Sequence, residues 1–459
     1  MRKRELMVYR TFPDNRDSLL CRVEAVVSAY EEGLWMEKRQ AAELTGELYG
    51  CIHELIAQAG TYGFYGNLWH CYLTHLLVTN ENGYSQGCEM RGGIQGTINQ
   101  AVLHDMEIFR EFFTYDFASL CRDLGVEAFS LAEHYEGSGA ETGVYNARIC
   151  ECICGLAGEL GESGTAGEMK DILTAFYARY GVGKFGLYKC FRIGRGVHGE
   201  ATVEPIPRIT HVKLDDLVGY ELQKKKLTDN TEAFVAGRRA NNCLLFGDAG
   251  TGKSSCVKAI ANEYYDRGLR VIEVYKHQFQ DLNEVIARIK GRNYKFIIFM
   301  DDLSFEDFEI EYKYLKAVIE GGLEKKPQNL LIYATSNRRH LIRENYGDKT
   351  EDGHFPEVRQ DMHTSDTVQE KLSLAYRFGV TIYFGTPDRK QFQTIVETLA
   401  ERWGVEMSRE ELLLEAGRWE MSHGGLSGRT AQQFIDYLTG SRGGIPSADG
   451  GLKTGGYLG

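Results

Sequence analysis

The stretch FGDAGTGKSS, residues 246–255, continues the short apolar run NCLLF near the middle of the chain. Gly247, Gly252, Lys253 and Ser254 match the pattern G-x-x-x-x-G-K-[ST], with a predicted strand before it and a predicted helix from the lysine onward. Glycines let backbone N–H groups turn toward phosphate oxygens, and the helix amino terminus and the lysine add positive charge. The stretch therefore predicts a phosphate-binding loop for a nucleotide, with Ser254 also a Mg²⁺ ligand. Its other predicted nucleotide contacts are Asp248, Ala249, Gly250, Thr251 and Ser255.

A second motif follows further along the chain, where KFIIFMDDLSFE predicts a buried strand that ends in two carboxylates. Asp301 is the predicted Mg²⁺ ligand, and Asp302 is predicted to orient or deprotonate an attacking water. If Asp302 is not the base, nearby Glu306 is the alternative. Two acids that merely cap a strand end are the other interpretation, which the phosphate-binding loop upstream makes less favourable.

The composition is that of a soluble globular protein, with 43% hydrophobic and 26% charged residues in a chain of 459. This length predicts two or three domains. The formal net charge of -12 gives little support to broad nucleic-acid binding, which needs a basic face, although a local basic patch stays open. No apolar run approaches the about eighteen residues that cross a bilayer, and none follows the basic start MRKRELMVYRTF. We therefore expect a cytoplasmic protein without membrane contact.

The pattern of apolar residues divides the chain into four parts. Residues 1–200 have apolar positions at spacings of three and four and are predicted to form a mostly helical amino-terminal domain. Residues 208–387 alternate short apolar runs with helical segments, which predicts an α/β core with a parallel sheet covered by helices. Residues 388–440 return to a helical pattern, and the glycine-rich residues 441–459 are predicted to be a disordered tail.

The cysteines are expected to be reduced, because eleven of them lie in a chain without a recognisable signal sequence. The densest group is ICECICG, which ends at Gly155. On a helix Cys150 and Cys154 would share a face and Cys152 would point away. On a strand all three would share a face, but alternate residues lie roughly 6.5 Å apart, too far for three thiolates on one zinc ion. We expect packed structural cysteines, with redox or metal chemistry as the alternative.

Three further features have two interpretations each. His70 and His75 lie in an aromatic-rich stretch and are expected to pack in a helical core rather than to bind a metal. The run Lys224–Lys226 favours a solvated helix face over a nucleic-acid patch. The polar segment 344–366 is either a plain surface loop or a contact for a substrate or a neighbouring subunit.

The motifs, in this order, resemble those of the AAA+ ATPases over about residues 208–440. The strand NLLIYATSN ends in Asn337, where that family has sensor 1, a polar residue beside the γ-phosphate. The stretch EKLSLAYRFGV contains Arg377, where the family has its arginine finger. The stretch GLSGRTAQQFIDYL contains Arg429, where the family has sensor 2 on a lid helix, with Ser427 as the predicted N-cap.

The resemblance also implies an adenine contact, and two details of the motifs narrow it further. Leu217, Val218 and Gly219, in LDDLVGYELQKKKL, match the segment that closes over adenine in AAA+ proteins. Most AAA+ proteins have Asp-Glu in the second acidic motif, whereas this chain has Asp301 and Asp302, so its base is one methylene shorter. DDLSF and YRFGV are similar to motifs of the bacterial replication initiator, but the first 200 residues are not the initiator's. The whole pattern most closely resembles a bacterial family of ATP-binding proteins labelled only as a domain of unknown function.

By this resemblance we expect an AAA+ P-loop core, a parallel sheet with a helical lid, preceded by a mostly α-helical domain. The expected activity is Mg²⁺-dependent hydrolysis of ATP, used to remodel or load a macromolecular partner held by the amino-terminal domain. A homo-oligomer is expected, because the family's finger acts in trans on a neighbour's nucleotide, which assigns that role to Arg377. Two alternatives stay open: a slow nucleotide-dependent switch and, from a different class, a P-loop kinase with a small-molecule acceptor.

Overall fold

The chain divides into two compact units, Met1–Tyr188 with Pro205–Ile209 and Lys189–Glu204 with Thr210–Gly459. The computed structural model describes residues 5–10, 18–137, 144–145, 147–210, 212–305, 311–320, 327–338, 341 and 374–442. Three features singled out in the sequence, Glu306, the polar segment 344–366 and all but the first two residues of the predicted tail, lie outside the described residues.

The first unit is built from helices in the part of the chain that is described. These are α1 Leu19–Glu31, α2 Lys38–Tyr62, α3 Leu68–Thr79, α4 Gly83–Arg91, α5 Ile98–Phe113, α6 Phe117–Leu124, α7 Phe129–Glu133, α8 Ala147–Glu162, α9 Ala166–Tyr180 and α10 Gly183–Leu187, with a 3-10 turn at Leu34–Met36. The spacing of apolar residues accounts for their packing, because Val102, Met106, Phe109 and Phe113 of α5 recur at intervals of three and four and are all buried. The predicted helical character of this region is thereby confirmed.

The ICECICG stretch lies in α8, which is the helical one of the two conformations considered for it, so Cys150 and Cys154 share a face of the helix. Cys150 is buried, and its Sγ donates a hydrogen bond to the Tyr62 carbonyl at 2.8 Å. Cys154 Sγ lies 3.7 Å from Cys71 Sγ, and Cys152 is half-buried. Burial raises the pKa of Cys150 to about 11, so this thiol is neutral at physiological pH. Within the described residues, no group of three or more His, Cys, Asp or Glu side chains is arranged to hold a metal ion.

The two histidines of the aromatic-rich stretch are core residues. Burial lowers the pKa of His75 to about 4, so its ring is neutral at physiological pH. That ring packs against Tyr62 and Tyr145, with centroids 4.7 and 5.9 Å away. Nε2 of His70 lies 2.9 Å from the Phe113 carbonyl. Both side chains therefore serve packing, in agreement with the interpretation of the sequence. None of the helices among the described residues is both long and apolar enough to cross a membrane.

The second unit contains a seven-stranded sheet in its described residues. The strands are β1 Cys190–Arg195, β2 Ala201–Pro205, β3 Cys243–Gly247, β4 Leu269–Glu273, β5 Lys295–Met300, β6 Leu330–Ser336 and β7 Val380–Phe384. Their order across the sheet is β2-β1-β4-β5-β6-β3-β7, and the five pairs from β1 to β7 are parallel. Parallel strands place their carboxyl ends at one edge, which is where such sheets bind ligands.

Helices accompany the sheet and then form a separate layer. They are α11 Glu221–Val235, α12 Lys253–Glu263, α13 Leu282–Ile289, α14 Glu311–Glu320, α15 Arg389–Arg402, α16 Arg409–Ser422 and α17 Gly428–Arg442, with 3-10 turns at Leu214–Asp216, Tyr265–Arg267 and Lys276–Asp281. Strands β5 and β6 are buried along nearly their whole length, as expected of strands covered on both faces. Helices α15–α17 share an apolar cluster of their own and form the lid. The predicted fold class, a parallel α/β core with a helical lid after a helical region, is confirmed.

The boundary of the helical region differs from the expectation of residue 200. Strand β1 begins at Cys190 and pairs with β4, with Cys190 opposite Val271 and Phe191 opposite Ile272. Buried and less buried residues alternate along β1, with Phe191 and Ile193 buried, but the strand has only six residues and lies next to glycines. A strand this short is easily read as a continuation of the preceding helical pattern. The other predicted domain limits, 208–387 and 388–440, stay predictions.

The outer edge of β7 is covered by side chains from α11 and its N-cap. Lys226 Nζ donates to the Thr381 carbonyl at 2.9 Å, and Gln223 Nε2 donates to the Tyr383 carbonyl at 3.1 Å. The Tyr220 hydroxyl donates to the carbonyl of Gly385 at 2.8 Å. These bonds occupy carbonyls that an edge strand would otherwise offer to another chain.

The lysine run of α11 is therefore engaged within the chain. In addition to Lys226, Lys225 pairs with Asp229 at 2.8 Å, and Lys224 Nζ donates to the Leu217 carbonyl at 2.8 Å. This pattern favours a structural helix face over a nucleic-acid patch.

Candidate nucleotide-binding site

Three glycines give the loop after β3 its shape. Gly247, Gly250 and Gly252 have φ of 133°, 74° and 88°, in the left-handed half of the backbone map where glycine is favoured. A Cβ at Gly247 would also fall against the carbonyl of Phe384 on the neighbouring strand β7. The glycine spacing seen in the sequence is thus required by backbone conformation at three positions and by close approach at one.

Lys253 begins α12 and is folded back into the loop. It is 6% exposed, and its Nζ donates to the carbonyls of Gly247 at 3.0 Å and Asp248 at 2.6 Å. Burial lowers the pKa of Lys253, while the carboxylates of Asp248, Asp302 and Asp301 act in the opposite direction. The ammonium group therefore lies at the centre of the loop, within electrostatic range of both acidic motif residues.

Asp301 connects the loop to the centre of the sheet. Its Oδ1 accepts hydrogen bonds from Ser254 Oγ and from Thr335 Oγ1, both at 2.5 Å. Thr335 Oγ1 in turn accepts the backbone N–H of Asp302 at 2.9 Å. The groups come from α12, the end of β5 and the end of β6, which the parallel sheet brings to the same edge.

Asp302 is positioned by its backbone and by Asn337. Its φ is 50°, a left-handed conformation that Asp tolerates better than most residues. Asn337 Nδ2 donates to Asp302 Oδ1 at 2.8 Å, and both residues are exposed. The carboxylate is accordingly open to solvent with one of its oxygens held. Residues in this backbone region often occur at functional sites.

The donor set fits a hard divalent cation. A Ser254 hydroxyl and an Asp301 carboxylate in contact are the oxygen ligands that Mg²⁺ takes in nucleotide sites, where one or two protein ligands are completed by phosphates and water. This set is consistent with the sequence prediction for both residues.

The predicted adenine segment lies between the loop, the core and the lid. Leu217 comes within 3.7 Å of a Cβ built at Gly252, and it packs against the core under the sheet. Val218 packs against the apolar cluster of the lid, and Gly219 has a φ of 81°. Arg402 of α15 donates to the carbonyls of the two residues before Leu217, at 2.8 and 2.6 Å. The segment therefore lies beside the loop after β3, and its contact with adenine stays a prediction.

The lid contacts the loop at the start of α17. Ser427 Oγ accepts the N–H of Thr430 at 3.0 Å, which confirms Ser427 as the predicted N-cap. The N–H of Arg429 donates to the Gly250 carbonyl at 3.2 Å. The charge of Arg429 also lowers the pKa of Lys253, so the two cations are near each other. Arg429 is therefore brought to the loop.

Arg377 lies at the other end of the sheet. It precedes β7, whose Val380 pairs with Cys243 at the start of β3, whereas Phe384 pairs with Gly247. Four residues of strand are about 13 Å at roughly 3.3 Å per residue. Arg377 comes three residues before Val380, so it precedes the end of β7 that lies away from the loop after β3.

The remaining loop residues, and two threonines that no sequence motif marks, complete the site. Ala249 is exposed and Ser255 is half-buried, while Thr251 Oγ1 donates to the Asp248 carbonyl at 2.8 Å. No sequence motif identified Thr335 or Thr386 as a residue of the site. Thr335 lies two residues before Asn337, and this alternation within an apolar strand was the available signal. Thr386, which bonds Asp248, follows β7 and has no motif to mark it.

We expect Gly247→Ala to lower the free energy of unfolding by about 3 kcal/mol or more, since its φ and the Phe384 carbonyl both oppose a side chain. Gly268→Ala is the matched control, because Gly268 has a φ of 88° but nothing lies within 4 Å of its built Cβ. That variant should lose only about 1 to 2 kcal/mol. Equilibrium unfolding in denaturant measures both. Equal losses would show that the approach of β7 to the loop does not constrain Gly247.

Comparisons with known proteins give matches to parts of the chain. One curated relative, the replication factor C large subunit of Staphylothermus marinus, is 34% identical over 74 residues, which are 16% of this chain and 17% of that protein. Among solved structures, a single-residue mutant of Thermotoga maritima RuvB has 17% identity and a TM-score of 0.35 over 50% of this chain and 66% of the other. The FIGL-1 AAA domain in complex with ADP has 17% identity and a TM-score of 0.34 over 50% and 74% of the two chains.

The family comparison covers the second unit almost completely. The model described as Protein of unknown function (DUF815) matches residues 187–442, from just before β1 to the end of α17. This segment includes the phosphate-binding loop, both acidic residues, Asn337, Arg377 and Arg429. With more than half of its length matched, the chain belongs to the DUF815 family.

Proposed function

We propose that this protein is a Mg²⁺-dependent ATP hydrolase of the AAA+ type, which converts ATP to ADP and phosphate. The observation that carries the proposal is the hydrogen-bonded chain from Ser254 through Asp301 to Thr335, beside the pair of Asp302 and Asn337. A simple anion-binding loop needs neither carboxylate. Asp301 is bonded by hydroxyl groups and Asp302 by an amide at the same edge of the sheet. This difference supports separate roles for the two acids, Asp301 in binding and Asp302 in the chemical step.

Each residue then has a distinct role. The backbone N–H groups of the loop and Lys253 bind the phosphates. Ser254 and Asp301 would hold Mg²⁺, which when bound neutralises charge on the phosphate oxygens. Asp302, oriented by Asn337, accepts a proton from the attacking water. Leu217 and the two residues after it would contact adenine, and Arg429 would add a charge from the lid.

The alternatives differ in what happens to the γ-phosphoryl group. A slow nucleotide-dependent switch is supported by the short Asp302 side chain, which is one methylene shorter than the usual glutamate base. A P-loop kinase would transfer the group to a small molecule instead of water. The hydrogen bond from Arg429 of the lid to the loop favours the ATP hydrolase and the switch over the kinase. Phosphate release without an acceptor separates hydrolysis from kinase activity, and its rate with and without partners separates a motor from a switch.

Arg377 supports action in an oligomer. It precedes the end of β7 that pairs with the start of β3, and this end of the strands lies away from the nucleotide loop. A cation at that end of the strands is better placed for a nucleotide bound by a neighbouring chain than for one in its own loop. We therefore propose a homo-oligomer in which Arg377 acts as a finger in trans.

The substrate of such a machine would be a macromolecule bound by the helical first unit. Remodelling or loading of that partner uses the free energy of ATP hydrolysis. The net charge of -12 and the internally bonded lysines of α11 give no special support to nucleic acid. We therefore propose that the partner is a protein. A cytoplasmic location, expected from the sequence, is also part of the proposal.

We expect Asp302→Asn to bind ATP normally but to hydrolyse it at least about a hundredfold more slowly, because an amide of the same size accepts no proton. Asp301→Asn should instead raise the Mg²⁺ concentration needed for half-maximal activity. Phosphate release and nucleotide titration give the two readouts. Asp229→Asn, a surface change in α11, is the matched control and should stay within about twofold of the wild type. Wild-type turnover by Asp302→Asn would move the base elsewhere, with Glu306 as the next candidate.

We expect Arg377→Ala to bind ATP normally and to lose about 10³-fold or more in hydrolysis, since a finger stabilises charge in the transition state. Lys253→Ala should be inactive for a different reason, because it binds nucleotide poorly. Mixed assemblies of the two variants should regain activity wherever an intact Arg377 faces an intact loop.

The matched control for this mixture replaces Lys253→Ala by the double variant Lys253→Ala/Arg377→Ala, which leaves no intact finger. It should restore nothing. Native mass spectrometry establishes that the variants assemble together. If co-assembled Arg377→Ala and Lys253→Ala remain inactive, the finger does not act in trans.

A further inference from the structure

The backbone N–H, the carbonyl and one carboxylate oxygen of Asp248 are hydrogen-bonded within the chain. Its N–H donates to the Phe384 carbonyl at 2.9 Å, and its carbonyl accepts from Lys253 Nζ at 2.6 Å and from Thr251 Oγ1 at 2.8 Å. Its carboxylate Oδ2 accepts both the N–H and the hydroxyl of Thr386, each at 2.7 Å. Although the sequence suggested a nucleotide contact, the side chain of Asp248 is directed to the segment between β7 and the lid.

Thr386 lies in the short hinge Gly385–Pro387 that leads from β7 into α15. The residue before a proline is restricted to extended conformations, and proline fixes its own φ, so this hinge has few ways to bend. Helix α15 then begins with Asp388 as its N-cap, in a capping box with Gln391. Fixing Thr386 therefore fixes the direction in which the lid leaves the core.

The lid is bonded to the phosphate-binding loop at two places. The hinge is bonded through Asp248, and the start of α17 is bonded through the N–H of Arg429 on the Gly250 carbonyl. Only the first of these contacts uses a charged side chain. Hydrogen bonds to an ionised acceptor are stronger than neutral ones, so the carboxylate is the firmer of the two attachments.

The carbonyl and the carboxylate of Asp248 are bonded to different residues. The carbonyl holds the ammonium of Lys253, which is the group that a bound phosphate attracts. A phosphate that draws Lys253 away removes one bond from Asp248, while the same residue still holds the hinge. One residue is thus in contact with both the phosphate-sensing lysine and the base of the lid.

We propose that Asp248 is a positioning residue that couples occupancy of the phosphate-binding loop to the hinge of the lid. The inference rests on the proposed function, because it requires a nucleotide phosphate at Lys253. Asp248 makes no contact with the reacting atoms in this role. Its backbone responds to the phosphate, and its carboxylate passes the change to Thr386.

Hydrogen–deuterium exchange of the full chain tests the coupling, with calorimetry to measure binding of ADP and of a non-hydrolysable ATP analogue. Without nucleotide, Asp248→Ala should speed exchange of the Thr386 amide about tenfold or more, because a charge-assisted bond is lost. With nucleotide, the wild-type hinge should change its exchange, whereas Asp248→Ala should bind within about tenfold of the wild type but show no hinge response. The backbone carbonyl, and with it the bond to Lys253, is kept in this variant.

Three companion variants sharpen the result. Thr386→Val removes the hydroxyl but keeps the amide and should give an intermediate response, whereas Thr386→Ser keeps both groups and should match the wild type. Asp388→Ala disturbs the cap of α15 two residues away and should leave the hinge response in place. Should Asp248→Ala fail to fold, the contrast between valine and serine at position 386 decides the question.

The possible failures are distinguishable. A wild-type-sized hinge response in Asp248→Ala overturns the coupling and leaves the proposed function intact. Loss of nucleotide binding by more than about a hundredfold in that variant would make Asp248 a direct binding determinant and also overturns it. If the wild-type chain itself binds neither nucleotide, the proposed function fails and the coupling fails with it.

Discussion

The hydrogen bond between Ser254 Oγ and Asp301 Oδ1 is the interaction on which the rest of the site depends. It joins the helix after β3 to the end of β5, although β6 lies between these two strands. Neighbouring strands are about 4.8 Å apart, so the contact is possible only because parallel strands end at the same edge. Thr335 of β6, the strand between them, donates a hydrogen bond to the same carboxylate oxygen. The two exposed carboxylates therefore differ in their partners, because hydroxyl groups bond Asp301 and the amide of Asn337 bonds Asp302.

Strand β7 relates the two ends of the sheet. Its carboxyl end leads into the hinge bonded by Asp248, and its amino end follows Arg377. Between these ends, Lys226 and Gln223 of α11 bond its outer carbonyls. A shift of the hinge and a shift of Arg377, the proposed finger, would therefore involve the same strand. Rigid elements of this kind are how one nucleotide site can affect a group that serves another.

The sequence predicts those parts of the site that are local or that lie at strand ends. The loop glycines, Lys253 and Ser254 form one motif, and Asp301, Asp302 and Asn337 follow apolar runs whose carboxyl ends must meet in a parallel sheet. Thr335 could not be identified in the same way, because a threonine in a strand is usually a matter of packing. Its role depends on the pairing of β5 with β6, which spacing along the chain does not reveal.

Other features depend on tertiary contacts and therefore cannot be predicted from local pattern. Strand β1 falls within the predicted helical region, because six alternating residues next to glycines carry too little pattern to outweigh the helices before them. The bond from Asp248 to Thr386 joins residues 138 positions apart and gives no signal in either segment. The fold class was accessible because it rests on five apolar strands alternating with helices. The contacts that set the lid against the loop were not.

Above all, we propose that the edge of the sheet around Asp301 binds a Mg²⁺–nucleotide complex. Calorimetric titration of the full chain with a non-hydrolysable ATP analogue, in the presence and absence of Mg²⁺, tests it most directly, with Lys253→Ala as the comparison. We expect saturable binding to one site per chain that Mg²⁺ strengthens, and a loss of about thirtyfold or more in Lys253→Ala, because the variant removes the cation that would face the phosphates. Absence of binding by the wild type, or equal affinity in a correctly folded Lys253→Ala, would contradict the account.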